Sequence, residues 1–332
     1  MVKIGNIELG DFPLLLAPME DVSDPPFRAL CKENGADVVY TEFISCEGLI
    51  RNAQKSVVKL DIFEKERPVG IQIFGANLDS MLKAVDIVEK SNPDIIDINF
   101  GCPVKKVVSK GAGAGILKDI GLMQKLTYEM VRRTNLPVTV KTRLGWDEKS
   151  IKIVEVAERI QDAGAKAIAI HGRTRSQMYK GNADWAHIAE VKNNPRMNIP
   201  VFGNGDVNSP EKALEMKNKF GLDGAMIGRA SIGNPWFFNQ VKEYIKTRKH
   251  IEKPTLSQRI MTAKRHLEMA VSWKGEKLGV LETRRHYSNY FRGIHNFRPY
   301  RTKLVTTNSL QSLFDVFKEI ELNKQEFEEA IF

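Results

Sequence analysis

Three cysteines in 332 residues, none in a Cys-x-x-Cys pair, exclude a disulfide framework and a cysteine-based zinc site. So sparse a thiol set fits a reducing cytoplasm, the expected location. No apolar run approaches membrane-spanning length, so no membrane association is expected. Met1 to Asp11 carries Glu8 and Asp11 and lacks the charged-then-apolar order of a signal peptide. There is no Walker sequence, no HExxH and no GxSxG element. Gly111-Ala112-Gly113-Ala114-Gly115 has the wrong spacing for a dinucleotide loop and does not directly follow a strand. It reads as flexible backbone ahead of a helix. No metal site and no protein partner are implied.

What the chain does have is alternation. Short β-rich apolar runs stand at Leu14–Ala17, Val38–Thr41, Val69–Phe74, Ile95–Asn99, Val138–Thr142, Ala167–His171, Val201–Gly203 and Ala225–Gly228. Helix-length segments separate them, among them Leu78–Lys90, Ile120–Thr134, Ile151–Ala163 and Pro210–Phe220. Ser209-Pro210 reads as an N-cap followed by a first-turn proline. Eight strand–helix repeats predict an α/β fold, a closed (β/α)8 TIM barrel, with an open doubly wound sheet as the alternative.

Such a barrel typically needs about 250 residues, which leaves a remainder. After Asn234-Pro235-Trp236 the strand-like runs stop. Leu256–Trp273, Lys277–Phe291 and Ser309–Ile320 read as helices. Residues 1–245 are expected to form the barrel and residues 246–332 a small all-helical domain. The charge is uneven too. Val241 to Leu310 holds 16 Lys/Arg against 5 Asp/Glu, a balance of +11, whereas Met1 to Gln240 holds 32 against 30. A localised basic block points to a polyanion: RNA, DNA or an acidic membrane surface. Beyond Phe317 the tail turns acidic, with Glu319, Glu321, Glu326, Glu328 and Glu329.

Parallel barrels bind ligands at the C-terminal ends of their strands. Those ends here carry Pro18-Met19, Gln72, Asn99 and Cys102, Lys141 and Arg143, His171-Gly172-Arg173, Asn204-Gly205-Asp206 and Gly228-Arg229. Gly205 and Gly228 follow the seventh and eighth strands, where barrels often cradle a phosphate on backbone N–H groups. Lys141 could place a fixed cation beside an anionic ligand such as a reduced flavin. Gln72 offers both donor and acceptor to a heterocycle edge. His171 could bind phosphate or flavin. Cys102, set on a strand end, reads as a chemical thiol, while Cys31 and Cys46 read as core-filling thiols.

Ala17-Pro18-Met19, Asp24 to Arg28, Asp97-Ile98-Asn99-Phe100-Gly101-Cys102-Pro103 with Lys106-Val107, Val140-Lys141-Thr142-Arg143, Ile170 to Arg175, Asn204-Gly205-Asp206 and Ile227-Gly228-Arg229-Ala230 together resemble the tRNA-dihydrouridine synthases, most closely the bacterial B-type. The resemblance runs from Gly5 to about Tyr300. It implies FMN at the barrel mouth, reduced by NADPH and reoxidised by a uridine of tRNA. It implies cofactor contacts from Pro18, Met19, Glu20, Gln72, Lys141, His171, Asn204, Gly205, Asp206, Gly228 and Arg229, although Glu20 departs from the small residue usual after Pro-Met. Cys102 would be the proton donor. Asn99, Lys106, Arg143, Arg284 and Arg285 would hold the substrate. The alternative is an FMN oxidoreductase of dihydroorotate-dehydrogenase type acting on a small molecule, which would not need a basic helical domain.

Overall fold

A computed structural model describes residues 1–328; Glu329 of the acidic tail lies outside them. An antiparallel hairpin comes first, β1 (Val2–Ile4) and β2 (Ile7–Gly10). Then come β3 (Leu14–Leu16), β4 (Val39–Tyr40), β5 (Ile44–Ser45), β6 (Val69–Phe74), β7 (Ile95–Phe100), β8 (Val138–Arg143), β9 (Ala167–His171), β10 (Val201–Asn204) and β11 (Gly224–Ile227). The parallel order is β3-β11-β10-β9-β8-β7-β6-β4, with β5 extending β6. Leu16 N donates to Val38 O at 2.9 Å, and Asp37 N donates to Leu14 O at 2.8 Å. Those bonds tie β3 to the edge of β4 and close the barrel. The expected (β/α)8 architecture is present, with its strands where the apolar runs stand.

Alternation sorts the strand residues. Ile96, Ile98, Val140, Ile168 and Ile170 belong to the outer core, shared with helices such as Leu78–Glu89 and Ile153–Asp162. Leu15, Tyr40, Ile95, Ala167, Ala169, Phe202 and Met226 fill the barrel's inside, and Ile4 of the hairpin plugs its floor. Inside space is tight. A Cβ on Gly70 would stand 2.5 Å from the Tyr40 ring, so only glycine fits beside that tyrosine.

The first core runs on into the Phe237–Thr247 helix through Phe237, Phe238 and Val241. A second core starts at Leu256 and gathers Leu267, Val280, Tyr287, Phe291, Phe297 and Phe317. Its helices are Leu256–Lys274, Glu276–Tyr290, Arg298–Thr306 and Leu310–Leu322. Thr255 and Gln258 form a capping box at the first of them. Among the aromatics of the basic stretch, Tyr290 or Phe291 is expected to be buried, and both are core residues.

The helical part docks on the barrel's Pro25–Glu33 helix, which Asp24 caps through Phe27 N at 3.1 Å. Phe27 lies 4.6 Å from the His286 ring, and His286 lies 4.5 Å from His266. His266 Nδ1 faces the Tyr290 hydroxyl at 3.1 Å. Lys274 Nζ reaches Asp24 Oδ2 at 2.6 Å, both nearly buried, and also contacts Glu282. Arg265 pairs with both oxygens of Glu33 at 2.6 Å. Behind this helix, Arg28 and Glu66 form a fully buried pair at 2.6 and 2.9 Å; the remaining Arg28 donors take Ser23 O and Asp61 O. Their donors and acceptors are satisfied, as a buried pair requires.

Burial holds His266 neutral, with its pKa pushed down to about 4. An unfolded histidine titrates near 6.5, so between those values the unfolded chain binds more protons. Stability is therefore full above pH 6.5 and is lost as pH falls toward 4. The expected loss from His266 is roughly 3 kcal/mol, at about 1.36 kcal/mol per pKa unit. Denaturation midpoints measured from pH 7 to 4 should show it, and His266→Phe should flatten part of the slope.

Candidate active site

The barrel mouth opens into a cavity of ≈ 1390 Å³. That exceeds the roughly 300–1,000 Å³ of a single small-molecule site. Strand register sets its walls. Asn99 pairs across to Lys141, Arg143 to His171, and His171 to Asn204. Pro18, Met19 and Glu20 close one side; Gly205, Asp206, Gly228 and Arg229 close another.

Cys102 sits in the cavity wall at 7% exposure. Burial pushes its thiol pKa up, against the pull of a Val104 backbone bond and of Arg143 and Lys141. The thiol is therefore protonated at neutral pH. Its backbone N–H donates to Asn99 Oδ1 at 2.8 Å, and Gly101 N donates to the same oxygen at 3.0 Å. Cys31 and Cys46 are buried in the outer core, as core-filling thiols are.

Lys141 lines the cavity, and its ammonium has no hydrogen-bond partner among the described residues. Burial, then the charge of Arg143, bring its pKa down to about 8. Burial, with Arg143 and Lys141 next, takes His171 well below the ordinary value, so its imidazole is neutral. It faces Arg173 NH1 at 3.2 Å. Arg173 also holds Asp206 Oδ2 and Gly181 O, each at 2.6 Å. Asp206 further accepts from Ala183 N at 2.7 Å and Arg229 at 3.1 Å. Gly205 has φ +108°, and a Cβ there would meet His171 at 2.8 Å. The result is a cationic mouth, a bare-backbone turn and one free ammonium, an arrangement suited to an anionic ligand.

Several of the expected site residues are also engaged within the protein, and Gln72 and Lys106 stand outside the cavity lining. Gln72 is fully buried beneath the mouth, its amide shared between Asp97 at 2.5 Å and Asn99 at 2.8 Å. Arg143 is buried in the cavity wall, its Nε on Gly101 O and its NH1 on Thr174 O and Met178 O at 2.8 to 3.0 Å. Glu20 turns its carboxylate to Lys59 at 2.5 Å. Lys106 is exposed on the short Lys105–Val108 helix, outside the cavity. Arg284 is tied to Thr307 O and Asn308 at 2.7 Å. Arg285 pairs with Asp21 at 2.7 Å, bracing the first barrel loop rather than projecting free. Tyr179 and Arg292 line the cavity; Tyr179 was not anticipated, whereas Arg292 belongs to the basic block expected to meet a polyanion. Arg173 was visible within His-Gly-Arg but was given no role.

The Gly111–Gly115 run is a second correction. It is not loose backbone but part of the wall behind Cys102, leading into a 3-10 turn at Gly113–Lys118. Ala114 N donates to Cys102 O at 3.0 Å. A Cβ on Gly113 would come within 2.8 Å of that carbonyl.

A sequence model of the family described as Dihydrouridine synthase (Dus) matches residues 15–331. The chain belongs to that family. It is 37% identical over 302 residues to a protein named probable tRNA-dihydrouridine synthase of Rickettsia conorii, covering 91% of this chain and 90% of that one. It is 37% identical over 289 residues to tRNA-dihydrouridine synthase B of Pseudomonas putida, covering 87% and 85%. Over 319 residues it is 34% identical to a probable tRNA-dihydrouridine synthase 1 of Synechocystis, covering 96% and 88%. Membership carries the activity at its coarse level: this is an enzyme that reduces uridine in tRNA. Among solved structures, histamine dehydrogenase from Rhizobium sp. 4-9 superposes with TM-score 0.52 at 12% identity, over 80% of this chain and 50% of that one, a likeness of fold. No helix among the described residues is long and apolar enough to cross a membrane.

Gly113→Ala and Gly111→Ala separate strain from packing. Both glycines have positive φ, +57° and +73°, but only Gly113 abuts the Cys102 backbone; Gly111 has nothing nearer than Ala76 at 3.6 Å. Each should destabilise by about 1 kcal/mol through its φ alone. Gly113→Ala should lose more than that, read as the larger fall in thermal midpoint.

Proposed function

We propose that the protein binds FMN in the barrel mouth, takes reducing equivalents from NADPH, and uses the Cys102 thiol to protonate C5 of the target uracil. One observation carries this reading: a protonated, partly accessible thiol shares one cavity with an unpartnered lysine and a glycine turn fit for a phosphate. The residues present fit FMN. Lys141 would answer the negative charge of the flavin, Gly205 and Gly228 would let backbone N–H groups approach its phosphate, and neutral His171 can donate without adding charge. Bound there, FMN supplies the hydride that C6 must receive.

The chain's own part is acid chemistry and placement. Reduction of C5=C6 needs a proton at C5, and a buried thiol held in its protonated form can give one. Asn99 fixes the turn that carries this thiol. The target base must leave its stack to enter, as in other enzymes that act on bases. The helical domain supports RNA binding with cations that are not already engaged. Arg292, exposed at the cavity rim, and exposed Arg298 suit a phosphate backbone better than Arg284 and Arg285, which are tied within the protein.

Cys102→Ala should retain flavin and NADPH oxidation while dihydrouridine formation falls by about 10²–10⁴-fold, the usual weight of a positioned acid. Mass analysis of treated tRNA measures the product, and near-normal product would remove Cys102 from the reaction.

Lys141 makes a second expectation pH-dependent. Its ammonium is charged below about pH 8 and neutral above it. The apoprotein's affinity for FMN should hold from pH 6.5 to 7.5 and then fall, by up to about tenfold per pH unit beyond pH 8. Flavin fluorescence titration follows this directly. Lys141→Met should bind more weakly and show a flat profile over the same range.

A further inference from the structure

We infer that Asp97 is a positioning residue for the reaction, and that its carboxylate sets the direction of a hydrogen-bond chain that locks the Cys102 turn. The inference rests on the reading of Cys102 as proton donor. Asp97 lies on β7 two residues before Asn99 and is 1% exposed. Its Oδ1 accepts from Thr139 Oγ1 at 2.5 Å, and its Oδ2 accepts from Gln72 Nε2 at 2.5 Å. Gln72 Oε1 then accepts from Asn99 Nδ2 at 2.8 Å. Asn99 Oδ1 is left to accept Gly101 N and Cys102 N.

Every donor in this chain points toward Asp97. An ionised carboxylate only accepts, so it admits only the NH2 side of Gln72. That choice leaves Gln72 its oxygen for Asn99, and Asn99 in turn its oxygen for two backbone N–H groups. Both ends of the chain are thus fixed, one by a carboxylate and one by backbone donors, and the two amides between them have one satisfied orientation. Gln72 is fully buried, so no water can repair a flipped amide. If Asp97 were replaced by a group offering N–H to Gln72, the amides would turn. Asn99 would then present NH2 to the N–H groups of Gly101 and Cys102, and the turn would lose both bonds.

The test removes the acceptor at the head of the chain. Asp97→Leu, which offers Gln72 Nε2 no acceptor, should speed alkylation of Cys102 by iodoacetamide at least about tenfold, the size of one lost buried hydrogen bond. It should lower kcat for dihydrouridine formation by a similar factor at unchanged KM for tRNA. Asp97→Asn can turn its oxygen to Gln72 Nε2 and its NH2 to the Thr139 hydroxyl, which accepts as well as donates, so Asn99 would keep its native orientation. Alkylation of this conservative variant should stay within about threefold of the parent. Wild-type alkylation in Asp97→Leu, or an Asp97→Asn variant as reactive as Asp97→Leu, overturns the proposal. So does failure of both variants to fold, since position 97 would then need its carboxylate for packing alone. A folded, protected Asp97→Asn variant beside an unfolded Asp97→Leu supports it. Alkylation involves no turnover, so it reports on the turn even if Cys102→Ala should remain active, an outcome that would instead remove the proton-donor reading.

Discussion

Closure of the sheet between Leu14–Leu16 and the Val38–Tyr40 edge is the constraint on which the rest depends. A closed parallel barrel has an inside that only side chains can fill. Here its lower half is apolar, built on Phe202, Met226, Tyr40 and two alanines, and sealed by the hairpin. The half above it is polar. Gln72, Asp97, Thr139 and Asn99 are almost wholly out of water, so each must find its partners among the others. The same register that closes the barrel puts Lys141 beside Asn99 and His171 beside Asn204. Closure, interior and mouth are one geometric fact seen at three heights.

Charge at the mouth follows from that crowding. Lys141, Arg143, Arg173 and Arg229 converge around His171, and their combined field is among the reasons its imidazole stays neutral. Of the carboxylates that line the cavity, Asp206 and Glu20 are already engaged by Arg173, Arg229 and Lys59, and Glu215 by Lys212 and Lys219. A cluster of this kind is costly alone and is relieved by an anion. The site is thus electrostatically incomplete in the way a binding site for a phosphorylated ligand would be.

Much of this was legible in the chain, for reasons that differ by residue. Runs such as Ile95-Ile96-Asp97-Ile98 could hardly be anything but strands, since β-branched residues buried on both faces leave no helical stripe. The hairpin was not legible: Val2–Gly10 mixes Lys3 and Glu8 with isolated apolar residues, and its strands are only three and four residues long. Asn99, Cys102, Lys141 and His171 converge because strand ends share one rim. Side-chain direction beyond the rim was hidden. Nothing near Arg143 in sequence announces that its guanidinium turns back to Gly101 O, and Arg285 finds Asp21 across 264 positions of chain. Tyr179 and Arg292 reach the cavity on irregular segments, where periodicity has nothing to say.

The hairpin at the barrel floor has a practical side. Its turn, with Gly5 at φ +59° and exposed Asn6, faces away from the mouth and takes no part in the helical domain's docking. A probe or surface tether attached at Asn6 would hold the molecule upside down, mouth outward and clear of the support. Because the tether would act on the sealed end of a rigid barrel, an immobilised sample should offer its whole cationic rim to a long, bulky nucleic acid without steric shadow from the surface.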